Sequence, residues 1–382
     1  MRDSFPLINE KKEKVRDVGR RFFQSRGFDF IKTPTVEYYE TVGKSSAIPD
    51  SSLFKLVDRQ GETLVLRPDM TTPIVRVATS KLLKEQIPLR LAYFANVFRA
   101  QEHEGGRPAE FEQMGVELIG DDSVFADAEM IITASEFVQE LGIDGYRLTV
   151  GHAGLLQSIL TQLTQSDEQV KELRKLLVEK NMVGFEETVR TFGLSHKDEQ
   201  RFIDFIGQAS NVHSIQQLRP FIDESNDSQV EMFSYLSDLS SLLENAGLAK
   251  MVTYDLTLTS EMSYYTGMLF EVFASGSGFA IGNGGRYDGL LQEFNSDVGA
   301  TGFGLRVDRL LEVMTTTTTR EPHTLIFFDS ANYVKAVNDA KNLRDEGIRT
   351  TVQFMGNVED KEAFQANFTN VVWLIEGVGN NE

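Results

Sequence analysis

Seven side chains in this sequence are of types that could bind a polar ligand. Asp69 and Thr71 follow Arg67-Pro68, Arg99 directly follows one β-patterned segment and Gln113 and Glu117 fall on another, and Tyr264 and Tyr265 stand side by side before Thr266-Gly267. The carboxylates are acceptors for an ammonium. Arg99 is a donor for a carboxylate or phosphate, because a guanidinium fork grips an anion through two parallel hydrogen bonds and a lysine cannot. Taken singly, each of these residues reads as a surface charge or a core tyrosine.

Other chemistries find less support. There is no cysteine, which excludes disulfides, thiolate catalysis and cysteine-based zinc sites. The five histidines, His103, His152, His196, His213 and His323, show no His-x-x-x-His or Glu-x-x-His spacing, so no metal is expected. His152 lies between a strand pattern and a helix pattern and reads as structural. No Gly-x-Ser-x-Gly or Walker sequence occurs, and no cofactor is expected.

The elements that must position these residues are legible as patterns. Residues 11–25 carry Val15, Val18, Phe22 and Phe23 at near-helical spacing, ended by Gly27. Residues 54–58 and 63–67 read as a hairpin, as do 91–98 and 111–119, and 146–150 reads as a further strand. From about residue 153 to 250 the texture becomes helical, marked by Leu155, Ile159, Leu163, Leu173, Leu176, Leu177, Phe202, Phe205 and Ile206. Strands resume over 253–258, 269–273, 279–281 and 301–306, with a Gly-rich turn at Gly284-Gly285-Arg286-Tyr287-Asp288. Five threonines, Thr315 to Thr319, read as a linker because they have no face to bury. The last 60 or so residues alternate strand and helix patterns. Hairpin-joined strands predict a mainly antiparallel sheet with helices, not a doubly wound one.

Charge narrows the partners. The chain has 382 residues, 38 Lys+Arg against 57 Asp+Glu, and a formal net charge of −19. Nucleic-acid affinity comes largely from neutralising phosphates, and this balance opposes it. No apolar run approaches the roughly 20 residues of a membrane-spanning helix. The charged N-terminus does not read as a signal peptide, and a cytoplasmic location is expected.

Several stretches carry a family resemblance. Residues 27–37, around Pro34, resemble the first signature of class II aminoacyl-tRNA synthetases, in which a strand with an internal proline supports a dimer interface. Phe98-Arg99-Ala100-Gln101, Gly106-Arg107 and Phe111-Glu112-Gln113 resemble the second, and Thr301 to Leu310, with Arg309, the third. Leu66-Arg67-Pro68-Asp69-Met70-Thr71, the Tyr264-Tyr265-Thr266 segment and the Gly-rich stretch are similar to the histidyl-tRNA synthetase core. The resemblance spans roughly residues 5–314. It implies a histidine-binding slot of Asp69, Thr71, Arg99, Gln113, Glu117, Tyr264 and Tyr265, with Asp69 facing the ammonium and Glu117 the imidazole.

The departures matter as much. Ser260 stands where the synthetases have an arginine that helps activate the amino acid. Gln101 replaces a glutamate and Ala109 an ATP-contacting arginine, while Asp69 is a methylene shorter than the usual glutamate. The 63 residues after Thr319 carry 6 Lys+Arg and 10 Asp+Glu, a poor grip for tRNA. These features resemble the regulatory subunits of ATP phosphoribosyltransferase, a family of synthetase paralogues. That implies a non-catalytic chain that joins the short-form catalytic subunit in a hetero-octamer, acts at the first step of histidine biosynthesis, and binds free L-histidine for feedback inhibition. It also implies a homodimer through the Pro34 region, no tRNA and no membrane. The expected fold is α+β: a synthetase-like core over 1–152 and 251–314, a helical insertion over 153–250, a linker over 315–322 and a small α/β domain over 323–382. Two alternatives remain open: a divergent, active histidine–tRNA ligase, and a synthetase-like binding protein with another partner.

Overall fold

The computed structural model describes residues 3–100, 108–259, 264–314 and 322–375. Ser260 and Gln101 lie outside the described residues, as do Gly106, Arg107 and the whole Thr315–Thr319 stretch. The chain divides into two compact units after Thr315.

The first unit is built on an eight-stranded sheet. Its spatial order is Asp29–Phe30, Leu89–Phe98, Glu110–Ile119, Ala300–Arg306, Gly282–Arg286, Met268–Phe273, Arg147–His152 and Val252–Tyr254. The five inner pairings are antiparallel, and only the two outermost are parallel. This is the α+β, mainly antiparallel architecture expected from the hairpin patterns.

Alternation along the strands decides what each face does. Ala92, Met114, Val116, Leu118, Phe303 and Leu305 point to one side. There they join Val15, Phe22 and Phe23 of helix Pro6–Gln24 and Phe137 of helix Val124–Glu140 in the main core. Leu91, Tyr93, Ala95 and Val97 point to the other side. They pack with Met70, Ile74, Val75 and Ala78 near helix Thr71–Ser80, and with Tyr287, Leu290 and Leu291. Val36–Tyr38, Thr63–Leu66 and Lys55–Val57 form a separate small antiparallel sheet.

Between Arg147–His152 and Val252–Tyr254 the chain forms five α-helices, Ala153–Leu163, Asp167–Val178, Met182–Thr191, His196–Gln208 and Asp227–Asn245. Their starts are set by side chains that accept a first-turn N–H: His152, Ser166, Asn181, Ser195 and Asn226. No helix among the described residues is long and apolar enough to cross a membrane.

Four sequence expectations change. The first helix begins at Pro6 rather than residue 11, since proline suits a first helical turn whose N–H groups lack partners anyway. Pro34 is not inside a strand. It lies exposed between Asp29–Phe30 and Val36–Tyr38, and its carbonyl and that of Thr33 accept hydrogen bonds from the buried Arg67 guanidinium. The segment 279–281 is not a strand, and the Gly-rich stretch read as a turn is one, Gly282–Arg286. Glycine is a poor strand former in isolation. Here the neighbours come so close that a Cβ at Gly284 would lie 2.6 Å from both Phe270 and Phe303.

The second unit is a three-stranded parallel sheet, ordered Arg349–Phe354, His323–Phe328, Asn370–Leu374. Helices Tyr333–Asp345 and Lys361–Gln365 connect its strands.

Candidate functional site

The register of the main sheet gathers polar side chains on its second face. Gln113 and Glu117 lie two pleats apart on one strand, with Gly115 between them. Tyr93 pairs with Gly115 across one ladder, and Gly302 and Gly304 pair with Glu117 and Gly115 across the other. Asn283 lies opposite Gly304. These residues, with Thr71, Tyr264, Tyr265 and Tyr287, line a narrow slot.

The slot exists because its floor lacks side chains. A Cβ at Gly304 would sit 2.0 Å from Gln113 Nε2 and 2.8 Å from the Tyr93 hydroxyl. One at Gly302 would sit 2.0 Å from Glu117 Oε2.

Glu117 is the electrostatic centre. It is 1% exposed, accepts a hydrogen bond from Thr71 Oγ1 at 2.8 Å on Oε1 and another from the Tyr287 hydroxyl at 2.6 Å on Oε2. Burial pushes its pKa up to about 8; the Tyr287 and Thr71 hydrogen bonds pull against that, and the charge of Asp69 adds to it. At neutral pH the empty site therefore holds a mostly protonated carboxyl. A cationic or N–H-donating ring would convert it to a carboxylate.

The roof is aromatic. Tyr264 stands edge-on to Tyr265 and Tyr287, with ring centroids 5.0 and 5.8 Å apart, and its hydroxyl reaches Thr71 Oγ1 at 3.4 Å. Burial raises all three phenol pKa values, so they remain neutral donors. Gln113 is 8% exposed, and its buried Oε1 has no hydrogen-bond partner among the described residues. A buried acceptor left in that state is costly unless a ligand donor meets it.

Of the seven residues singled out in the sequence, Thr71, Gln113, Glu117, Tyr264 and Tyr265 line the slot. Asp69 and Arg99 do not line it, because other partners engage them. Asp69 accepts from the Thr72 N–H at 2.8 Å and the Ser46 hydroxyl at 3.0 Å, and so fixes the start of helix Thr71–Ser80. Arg99 donates to the Pro68 carbonyl at 2.8 Å and lies 5.4 Å over the Phe111 ring. Both still act on the site by charge: Asp69 raises and Arg99 lowers the pKa of Tyr265. Ala109 ends the long hairpin, its carbonyl accepting the Arg99 N–H. Arg309 donates to the Ala280 carbonyl, while Asp308 pairs with Arg306 at 2.8 Å. His152 accepts the Leu155 N–H on Nδ1 at 3.1 Å and is a helix cap. Among the described residues no group of His, Cys, Asp or Glu could hold a metal ion.

Sequence reasoning missed Tyr93, Asn283, Tyr287, Gly302 and Gly304. Tyr93 shares the hairpin with Gln113, and its place on the same face follows from strand alternation. Asn283, Gly302 and Gly304 enter through strand pairing, and Tyr287 through the junction between strand Gly282–Arg286 and helix Asp288–Glu293.

Comparison with known proteins gives a consistent picture. The histidyl-tRNA synthetase family profile matches residues 1–310, and that of the C-terminal domain of histidyl-tRNA synthetase HisZ matches residues 325–376. An ATP phosphoribosyltransferase regulatory subunit from Lysinibacillus sphaericus is 57% identical over 373 residues, covering 97% of this chain and 96% of that protein. Its counterpart from Geobacillus kaustophilus is 45% identical over 381 residues, covering 100% and 96%. The crystal structure of an ATP phosphoribosyltransferase regulatory subunit/histidyl-tRNA synthetase from Bacillus halodurans superimposes with a TM-score of 0.90 at 38% identity, over 98% of this chain and 97% of that one. Histidyl-tRNA synthetase from Nostoc sp. shares the fold, with a TM-score of 0.75 at 21% identity over 94% and 85% of the two chains.

Proposed function

From the premise that this chain belongs to the family of ATP phosphoribosyltransferase regulatory subunits, we propose that its slot binds free L-histidine and carries feedback inhibition to a catalytic partner. The chain itself is a non-catalytic regulatory subunit of histidine biosynthesis. In this reading it joins the short-form catalytic subunit in a hetero-octamer in the cytoplasm and does not bind tRNA.

One observation carries the ligand assignment: Glu117, buried and held between Thr71 and Tyr287, faces a slot that also contains the orphaned Gln113 acceptor. Glu117 suits an imidazole N–H and Gln113 an ammonium or a second ring N–H. An analogue lacking those donors would leave buried acceptors unpaired, which is how a polar pocket rejects wrong ligands. Inhibition then requires only that histidine bind one state of the complex better than another. The −19 net charge and the acidic C-terminal unit support a chain that does not hold tRNA.

The reading includes a homodimer through the Pro34 region. Beside Pro34, the small sheet turns Val36, Tyr38 and Leu56 outward, at 42%, 56% and 45% exposure. An apolar strand surface of this kind suits a second copy of the chain.

Calorimetry tests the ligand. Glu117→Ala should weaken histidine binding by ~1–3 kcal/mol, or about tenfold and more. In the reconstituted complex it should blunt histidine inhibition while sparing the uninhibited rate. Unchanged binding would mean that histidine sits elsewhere. Lost binding with full inhibition would move the inhibitory site to the catalytic subunit.

A further inference from the structure

Arg286 lies behind the slot, not in it, yet it is tied to the elements that shape it. Its Nε donates to Asp127 Oδ2 at 2.8 Å, and its Nη1 reaches Asp288 Oδ1 at 3.3 Å and the Asp121 carbonyl at 3.2 Å. Its Nη2 donates to the Ser123 carbonyl at 3.2 Å. The main chain of the same residue continues the connection. The Arg286 carbonyl accepts the Thr266 N–H at 3.0 Å, one residue beyond the Tyr264-Tyr265 roof. The next residue is Tyr287, the donor to Glu117.

Asp127 has a second tie. It is fully buried on helix Val124–Glu140 and also accepts the hydroxyl of Tyr235, which comes from helix Asp227–Asn245 of the insertion. The two helices pack against one another. The Tyr235 ring is edge-on to His152 at 5.9 Å, so the tyrosine is held from two sides.

We propose that Tyr235, Asp127 and Arg286 form a relay through which the helical insertion responds to ligand in the slot. The inference rests on the histidine reading given above and adds the route of transmission. A ligand that draws Glu117 away from Tyr287, or reseats Tyr264 and Tyr265, displaces the backbone at Arg286. Arg286 cannot move alone, because a buried carboxylate stripped of a partner is strongly disfavoured. Asp127 must follow, and with it Tyr235 and the helix that bears it. Residues so placed do not touch ligand; they position those that do. The test reads transmission as well as stability.

Hydrogen exchange on the full chain, with and without saturating L-histidine, provides that reading. In the wild type, histidine should slow amide exchange in Asp227–Asn245 by ~3–10-fold. Tyr235→Phe keeps the ring against His152 and should still bind histidine by calorimetry, but lose this slowing. Ser241→Ala, an exposed change on the same helix, should retain it. Unchanged wild-type exchange in this helix at saturation would overturn the relay whether or not the variant folds. Slowing in Tyr235→Phe equal to the wild type would overturn it as well. If calorimetry finds no histidine binding to the wild type, the ligand reading fails first and the relay falls with it.

Discussion

Replacing Glu117 by glutamine should stabilise the empty protein and cripple its ligand site together. Burial raises the Glu117 pKa to about 8, against 4.5 for the free side chain. Between those values the folded chain holds a proton that the unfolded chain has released. Stability from this group is complete below pH 4.5 and is lost as pH rises through 8. Each pH unit in the window costs about 1.4 kcal/mol, so passing from pH 5 to pH 7 removes roughly 2–3 kcal/mol. Glutamine mimics the protonated carboxyl, with one donor and one acceptor for the Thr71 and Tyr287 hydroxyls, and does not titrate. Melting curves of wild type and Glu117→Gln should therefore converge near pH 4.5 and separate by several degrees near pH 7.5, with the variant higher. Histidine affinity of the variant should fall, because an amide cannot neutralise an imidazolium. Parallel melting temperatures across this range would refute the reasoning: Glu117 would then be ionised in the fold, and its surroundings wetter than the geometry indicates.

His152 should impose the opposite slope. Burial lowers its pKa from 6.5 to about 4, so stability is present above 6.5 and falls as pH drops towards 4, by roughly 3 kcal/mol in all. His152→Asn retains a helix-capping acceptor and should remove that acid-side loss in a thermal scan. Gly304→Ala places a Cβ against Gln113 and Tyr93 and should reduce histidine affinity about tenfold or more with the fold intact, measured by calorimetry and circular dichroism. On the proposed homodimer, Tyr38→Glu charges the outward face of the small sheet and should lower the mass in light scattering from dimer to monomer; a wild-type monomer, or a dimeric variant, would refute a contact through this face.

Parts of this fold announce themselves in one dimension. The run of strand-forming residues from Leu91 to Phe98 predicts a strand because the signal is local, and the leucine spacing of the insertion does the same for helices. The Gly282–Arg286 strand does not, since what makes glycine favourable there is the approach of Phe270 and Phe303 from strands elsewhere in the chain. The site divides in the same way. Glu117 and Tyr264 stand in recognisable motifs, but that Gly302 lies across from Glu117 is a matter of register between strands some 180 residues apart in sequence. Arg99 shows the converse: its type suits an anion, yet the fold turns its Nε to the Pro68 carbonyl.

The bare floor of the slot has a consequence for how such a site can change. Most pockets are gaps between elements, and they widen or narrow when those elements shift. This one is hollowed out of a continuous sheet, where Gly302 and Gly304 expose backbone locked by ladders on both sides. No rotamer change from below can resize it. Size selection and movement thus belong to different parts of the molecule: the floor at Gly302 and Gly304 acts as a fixed gauge that excludes bulkier ligands, and the tyrosine roof, the helix that starts at Thr71 and the strand end at Arg286 are the parts free to register that a fitting one has arrived.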